Sequence, residues 1–304
     1  MKRLTLRHLR YFEALARHGH FGRAADVLAI SQPALSVQMK ELEDILGAPL
    51  IERGSKQITL TGLGEVFATR ARAILQSVDD LADLARLSEG PLKGRLRLGV
   101  IPTVAPYMLP SLIRLLAESH GDLDLYPREA VTQKLIDDLA EGRLDAAIVA
   151  LPVSEASLHE EPLFTEEFAL VRPIGDKDKP VPRPEILSQM RLLLLEEGHC
   201  FRDQALAFCG GTSAMPRDLM EGSSLSTLVQ MVGAGIGVTL IPEMALPLET
   251  GAAPVCWARL GQPQPRRTIG MIWRKSSPLA GQLHQIARLI RDSRPDREGM
   301  AMSA

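Results

Sequence analysis

The sequence predicts two folds in one chain: an N-terminal all-α winged helix-turn-helix extended by a long linker helix, then an α/β region of two subdomains. Three observations point there. Residues 20–47 hold two amphipathic helical patterns joined by a capped turn, and residues 61–90 hold a proline-free heptad pattern. From Pro91 onward, apolar β-rich runs alternate with helical patterns. A chain of 304 residues accommodates about two domains.

In HFGRAADVLAISQPALSVQMKELEDILG (20–47), Phe21, Ala24, Ala25 and Leu28 form one apolar face at helical spacing. Ser31 can cap the second helix, with Pro33 in its first turn, where a missing N–H costs nothing. Leu35, Met39, Leu42 and Ile45 then bury one side. The other side presents Gln32, Ser36, Gln38 and Lys40, short polar groups suited to base edges and phosphates. An αα-hairpin inside a bundle would account for the helices alone. The paired alanines, the capped turn and the polar face together favour a DNA-reading helix-turn-helix. PLIERGSKQITLT (49–61) reads as strand, basic turn and strand, a wing that sets Arg53 and Lys56 near a phosphate backbone.

From Thr61, Phe67, Ala71, Ile74, Val78, Leu81 and Ala85 recur by four and three, the seam of a long helix pairing with its twin. An amphipathic helix folded on its own chain is the plainer account, but helix-turn-helix units commonly read two half-sites as dimers. SEGPLKG (88–94) is the expected hinge. The expected domains are therefore a winged helix-turn-helix over 1–62, a linker helix and hinge over 63–90, and an α/β domain over 91–304.

In that last part, strands are expected at 95–101, 123–129, 144–151, 191–197, 236–242 and 267–274, with helices at 106–119, 132–142 and 224–235. Such alternation means parallel sheet with helices on its faces, and its recurrence beyond residue 191 gives two such subdomains. Ligands of open α/β sheets bind at the carboxyl ends of strands, so Thr103, in IPTVAP after the first strand, is a pocket candidate.

Composition excludes several classes. The net charge is −2, with +2 on residues 1–65 and −4 on the remainder, so the chain is no uniformly basic polyanion binder. The N-terminus MKRLTLRHLRYF has no apolar signal-peptide core. The run LVQMVGAGIGVTLIPEMALPL (228–248) is broken by Gly233, Gly235, Gly237, Pro242 and Glu243, which favours a buried helix, turn and strand over a membrane span. A cytoplasmic protein is expected, where a lasting disulfide would be unusual.

Two of the three cysteines fall within EEGHCFRDQALAFCGG (196–211). If Cys200 opens a helix running to Cys209, nine residues separate their α-carbons by roughly 13–14 Å. A disulfide needs about 4.4–6.8 Å, so bonding would require unwinding the segment. A helix N-terminus, His199 and Arg202 all favour a reactive thiolate at Cys200. Cysteines are also common small core hydrophobes, and spacing alone leaves both readings open. Cys256, in PVCWARL, has apolar company and reads as structural. A zinc site through His199, Cys200 and Cys209 lacks a short-spaced ligand pair.

The stretch AADVLAISQPALSVQMKELEDILGAPLIER with its following long helix resembles the N-terminus of LysR-type transcriptional regulators. EEGHCFRDQALAFC, IPTVAPYMLP, EAVTQKL and PRRTIG resemble the thiol and pocket segments of that family's peroxide-sensing branch, and the likeness spans essentially the whole chain. It implies a sensing domain like periplasmic solute-binding proteins, with Cys200 as peroxidatic cysteine and Cys209 as resolving cysteine, joined by a reversible disulfide. It also implies a peroxide pocket of Thr103, Thr132, His199, Asp203 and Arg267, and activation of oxidative-stress defence genes. DNA contacts are expected from Gln32, Pro33, Ser36, Gln38, Lys40, Arg53 and Lys56. The implied partners are double-stranded promoter DNA, RNA polymerase, hydrogen peroxide as signal, a thiol reductant of the glutaredoxin or thioredoxin type, and further copies of the chain as a dimer of dimers. No cofactor, metal, membrane or enzymatic turnover is expected. The rivals are a LysR-type regulator of a small metabolite and a thiol peroxidase.

Overall fold

Four helices build the N-terminal part, α1 (Leu6–His18), α2 (Phe21–Val27), α3 (Gln32–Leu46) and α4 (Gly62–Leu87), in a computed structural model that describes residues 3–52, 58–87, 93–187, 189–208, 219–261 and 264–293. Local chemistry sets their ends. The Thr5 hydroxyl accepts from His8 N–H while His8 Nδ1 accepts from Thr5 N–H, and α1 stops at Gly19 with φ 60°. Ser31 accepts from Ala34 N–H at the start of α3, with Pro33 in its first turn, as the sequence predicts. Helix α1 was not assigned from sequence. It supplies Phe12 and Leu15 to a core shared with Ala24, Ala25, Leu35, Met39, Leu42, Leu50 and Ala68.

The wing is seen at its flanks, where Ile51 and Leu60 form an antiparallel bridge. Glu43 on α3 accepts from the Leu50 and Ile51 amides at 2.8 and 3.2 Å, tying the helix to the wing's entry. Gly64 packs so close to the Leu50 carbonyl that any Cβ there would collide with it. Arg53 and Lys56 lie outside the described residues, as does the expected hinge from 88 to 92. Residues divide into two compact units, Met1–Ala85 and Arg86–Ala304.

In the second unit, β1 (Gly94–Val100), α5 (Ala105–Ser119), β2 (Leu123–Glu129), α6 (Thr132–Ala140) and β3 (Ala146–Leu151) follow the predicted alternation, and β1 pairs in parallel with both β2 and β3. The long β4 (Leu158–Pro173) comes next. Then follow α7 (Pro184–Leu187), β5 (Leu192–Leu195), α8 (Cys200–Phe208), β6 (Leu219–Gly222), α9 (Leu225–Gly233), β7 (Val238–Pro242), α10 (Leu246–Glu249), β8 (Val255–Arg259), β9 (Arg266–Arg274) and α11 (Ala280–Asp292). The sheet is mixed, which corrects the parallel expectation. Strand β9 runs antiparallel to β3, and β4 runs antiparallel to β7, β8 and β9.

The reason is topological. The chain must leave the first subdomain and return, and β4 and β9 are the crossing strands. Leu158–Glu167 of β4 pair with β9, whereas Phe168–Pro173 pair with β7 and β8, so one strand belongs to both subdomains. Each subdomain has its own core. Leu98, Val100, Ile148, Ile269, Ile272 and Leu283 belong to the first, and Leu170, Leu193, Phe201, Val229 and Leu240 to the second.

Candidate functional site

Cys200 is the first residue of α8, as the sequence predicts. Its helix is anchored by Phe201, whose ring meets Phe168 of β4 edge-on at 4.9 Å, and burying such a ring contributes about 1.5–3 kcal/mol. Phe201 and Ala205 belong to the second core, yet Cys200 packs against the first. The half-buried thiol therefore stands at the junction of the two subdomains.

Around it lies a narrow pocket, too tight as it stands for a water-sized sphere, lined by Ile101, Pro102, Thr103, Val131, Thr132, His199, Cys200 and Phe201. Those residues come from the chain entering α5, the start of α6 and the start of α8. Three helix N-termini thus turn the positive ends of their backbone dipoles toward one small space, which suits charge developing on an oxygen or sulfur there.

Arg267 of β9 is buried behind it. Its Nε donates to Glu166 Oε1 at 2.9 Å, Nη1 to Thr103 Oγ1 at 2.8 Å, and Nη2 to the Thr103 carbonyl at 3.1 Å. Glu166 in turn accepts from Met244 N–H through Oε2 at 3.1 Å. The arginine orients Thr103, and the Thr103 hydroxyl, accepting from Arg267, keeps its own proton to donate. Glu166 was not found from sequence, since nothing in the chain order links it to a residue about one hundred positions away. Thr132 stands at the head of α6, its Oγ1 sealed from solvent and without a hydrogen-bond partner among the described residues. Such a buried oxygen is costly unless something in the pocket meets it.

The neighbours of Cys200 differ from the expectation. Arg202 turns into the second subdomain, donating to the Leu195 carbonyl at 3.1 Å and to Glu221 at 2.5 Å, so it is not the thiol's cation. Residues two apart on a helix do not share a face. His199 is buried, and burial pushes its pKa below the ordinary imidazole value against smaller opposing effects of Glu196 and Glu129. At neutral pH it is a neutral donor and acceptor rather than a cation. Asp203 is exposed in the first turn of α8, outside the pocket wall, where an acid complements the helix dipole. Cys209 lies outside the described residues. Cys256, on β8, donates to the Pro173 carbonyl at 3.4 Å.

In the N-terminal unit, Gln32, Pro33, Ser36 and Lys40 are all exposed on α3, opposite buried Leu35, Met39 and Leu42. Gln38 departs from that group. It is half-buried and donates to Glu41 at 3.0 Å. Val37, 64% exposed among the polar residues, was missed, although an apolar side chain on a reading helix suits a thymine methyl. On α4 the expected seam splits. Phe67 meets Phe12 edge-on at 5.3 Å and Ala71 is buried in its own unit, while Ile74 and Leu81 stay exposed.

Residues 6–65 match the bacterial regulatory helix-turn-helix protein, lysR family, and residues 89–295 match the LysR substrate binding domain. The DNA-binding transcriptional dual regulator OxyR of Escherichia coli K12 is 40% identical over 292 residues, covering 95% of each chain. The hydrogen peroxide-inducible genes activator of Dickeya chrysanthemi is 39% identical over 293 residues, again covering 95% of each. Among solved structures, a full-length OxyR variant from Pseudomonas aeruginosa superposes with a TM-score of 0.74 at 37% identity, covering 96% of both chains. A peroxide-bound OxyR mutant from Corynebacterium glutamicum gives 0.64 at 34% identity, covering 96% of this chain and 92% of the other.

Proposed function

The chain belongs to the LysR family of bacterial helix-turn-helix regulators, and from that premise we propose that it is a peroxide-responsive transcriptional activator sensing through Cys200 and Cys209. The observation that carries the reading is the thiol at the head of α8, in a pocket with the Arg267-oriented Thr103 hydroxyl and the Thr132 hydroxyl, which has no partner among the described residues. Those two hydroxyls can hydrogen-bond a small neutral peroxide. As it stands the space is too narrow for a water-sized sphere, far below the roughly 300–1,000 Å³ of ordinary small-molecule sites, which weighs against a metabolite effector.

The chemistry balances within the chain. The Cys200 thiolate attacks one peroxide oxygen; an S–O bond forms, the O–O bond breaks, and the departing hydroxide takes a proton to become water. Thr103, Thr132, His199 and the helix N-termini stabilise that oxygen as charge develops. Cys209 then attacks the sulfenic sulfur; an S–S bond forms, the S–O bond breaks, and a second water leaves. Two thiols have supplied the two electrons, and a thiol reductant of the glutaredoxin or thioredoxin type returns them. Asp203 acts outside the pocket as a helix-start residue, and Arg267 acts through Thr103.

We further assign residues 1–62 to DNA binding, 63–90 to a dimerising linker and hinge, and 91–304 to sensing. Gln32, Pro33, Ser36 and Lys40 contact promoter DNA, with Gln38 beside them and Arg53 and Lys56 on the wing. RNA polymerase is the downstream partner, and the assembly is a dimer of dimers in the cytoplasm, where the DNA is. Among the described residues no helix is long and apolar enough to cross a membrane.

The test combines peptide mapping, DNA protection and peroxide consumption on one sample. Stoichiometric peroxide should join Cys200 to Cys209 and change the footprint while consuming about one equivalent per subunit. Cys200→Ser should abolish the response, because a hydroxyl forms no sulfenic acid. Cys209→Ser should leave Cys200 reactive but unresolved, so that it persists as sulfenic acid or over-oxidises. Multiple turnover with a supplied reductant and no change in protection would replace the sensor with a peroxidase.

A further inference from the structure

We infer that the first subdomain carries a binding site for a first-row divalent cation such as Zn²⁺, made by His159 and Glu161 of β4 with His284 of α11. His159 Nε2 and His284 Nδ1 lie 3.3 and 3.2 Å from the same oxygen, Glu161 Oε2. All three atoms fall within 4.8 Å of one another. Bonds of about 2.0–2.1 Å at tetrahedral angles would set ligand atoms about 3.3–3.4 Å apart, so two of the three edges already have the required length. The third, within 4.8 Å, would have to shorten as His284, half-exposed on its helix, turns toward the ion. That exposed side leaves the fourth position to water.

The surroundings hold the ligands in place. Trp273, almost fully buried, packs against both imidazoles, tilted to His159 with ring centroids 4.6 Å apart and edge-on to His284 at 4.9 Å. Arg291 donates to the other carboxylate oxygen, Glu161 Oε1, at 2.5 Å and to the Pro162 carbonyl at 2.9 Å. It fixes the carboxylate with Oε2 turned to the two rings, as outer hydrogen bonds commonly orient ligating carboxylates. Two imidazole nitrogens and a carboxylate suit zinc, copper or nickel rather than magnesium or calcium, which take oxygen ligands. An imidazole ligates through the nitrogen whose lone pair faces the ion, so each ring would bind as the tautomer that carries its hydrogen on the far nitrogen. Bound, the ion would pin α11 to the strand that links the two subdomains.

The test is titration of the full chain with Zn²⁺ itself, followed by calorimetry and by thermal unfolding. One equivalent should bind and raise the unfolding midpoint, as any ligand confined to the folded state does. His159→Ala, His284→Ala and Glu161→Gln should each weaken binding at least about tenfold, the smallest loss usual even for outer-sphere changes. Cys200→Ser/Cys209→Ser should bind as the unaltered chain does, which separates this site from the thiols and from the proposed peroxide response. Co²⁺ in the unaltered chain should show ligand-field absorption without a thiolate charge-transfer band, a readout independent of any variant's folding. Absence of stoichiometric binding, a thiolate band, or binding lost only with the cysteines would overturn the site.

Discussion

Thr132 offers a test in which rate and stability move in opposite directions. Its Oγ1 is buried with no partner among the described residues, so Thr132→Val removes an unsatisfied oxygen at nearly constant shape. Stability should hold or rise, since an unpaired buried hydroxyl is destabilising. Oxidation of Cys200 should slow by roughly fivefold, the worth of about 1 kcal/mol of hydrogen bonding at the reacting oxygen. Stopped-flow oxidation and urea unfolding on one preparation check both, and a variant that is less stable yet oxidises normally would remove Thr132 from the site. At this scale the sequence was legible where position along the chain is the signal. Cys200 at a helix start, Ser31 at a cap and Thr103 after a strand all stand as read. It misled where direction decides. Adjacency in sequence suggested Arg202 and charged His199 as the thiol's cations, yet α8 carries Arg202 toward Glu221, and burial keeps His199 neutral.

Elements inherit their roles from which faces remain open. Helix α3 buries Leu35, Met39 and Leu42 and leaves Gln32, Ser36 and Lys40 to solvent. Lys40→Ala should weaken DNA binding across sequences and lower its salt dependence by about one contact, while Gln32→Ala should alter base preference. Binding isotherms at several salt concentrations distinguish these; no change in either variant would move the reading face elsewhere. Helix α4 leaves Ile74 and Leu81 uncovered at 46% and 64% exposure, although Ala71 is fully enclosed in its own unit. Ile74→Asp/Leu81→Asp should therefore dissociate the assembly in sedimentation while the helical circular dichroism stays intact, because neither side chain holds up its own core. Elements with clean periods were legible. The run Leu283, Ile286, Ala287 and Ile290 of α11 has such a period and could have been found. Strand β4 could not be read so easily. Pro162 interrupts it, a register shift follows at Phe164, and its inward face serves two different cores.

At the scale of the sensing unit, two cores meet along crossing strands, and Tyr107 joins them. Its ring packs against both cores, and its hydroxyl, carried on α5 of the first subdomain, donates to Glu249 of α10 in the second at 2.7 Å. Ser226 donates to the same oxygen at 2.9 Å. A thiol at the same junction can influence the fit of the subdomains only if that fit is held by a few breakable contacts, and this hydrogen bond is one of them. Burial, then the hydrogen bond and negative charge of Glu249, push the Tyr107 pKa well above the ordinary phenol value. The unfolded chain therefore loses this proton near pH 10 while the folded chain keeps it. Folded protein then binds more protons than unfolded, so stability contributed by Tyr107 is whole below about pH 10 and falls as pH rises beyond it. Tyr107→Phe should cost about 1.5–3 kcal/mol at neutral pH, the range for a hydrogen bond to a charged group. It should also flatten the alkaline loss of stability, bringing the two proteins closer together as pH rises. Urea unfolding of both between neutral pH and pH 11 measures the difference directly. Parallel curves across that range would mean that Tyr107 titrates as an ordinary surface phenol and that the junction is held by the apolar contacts alone.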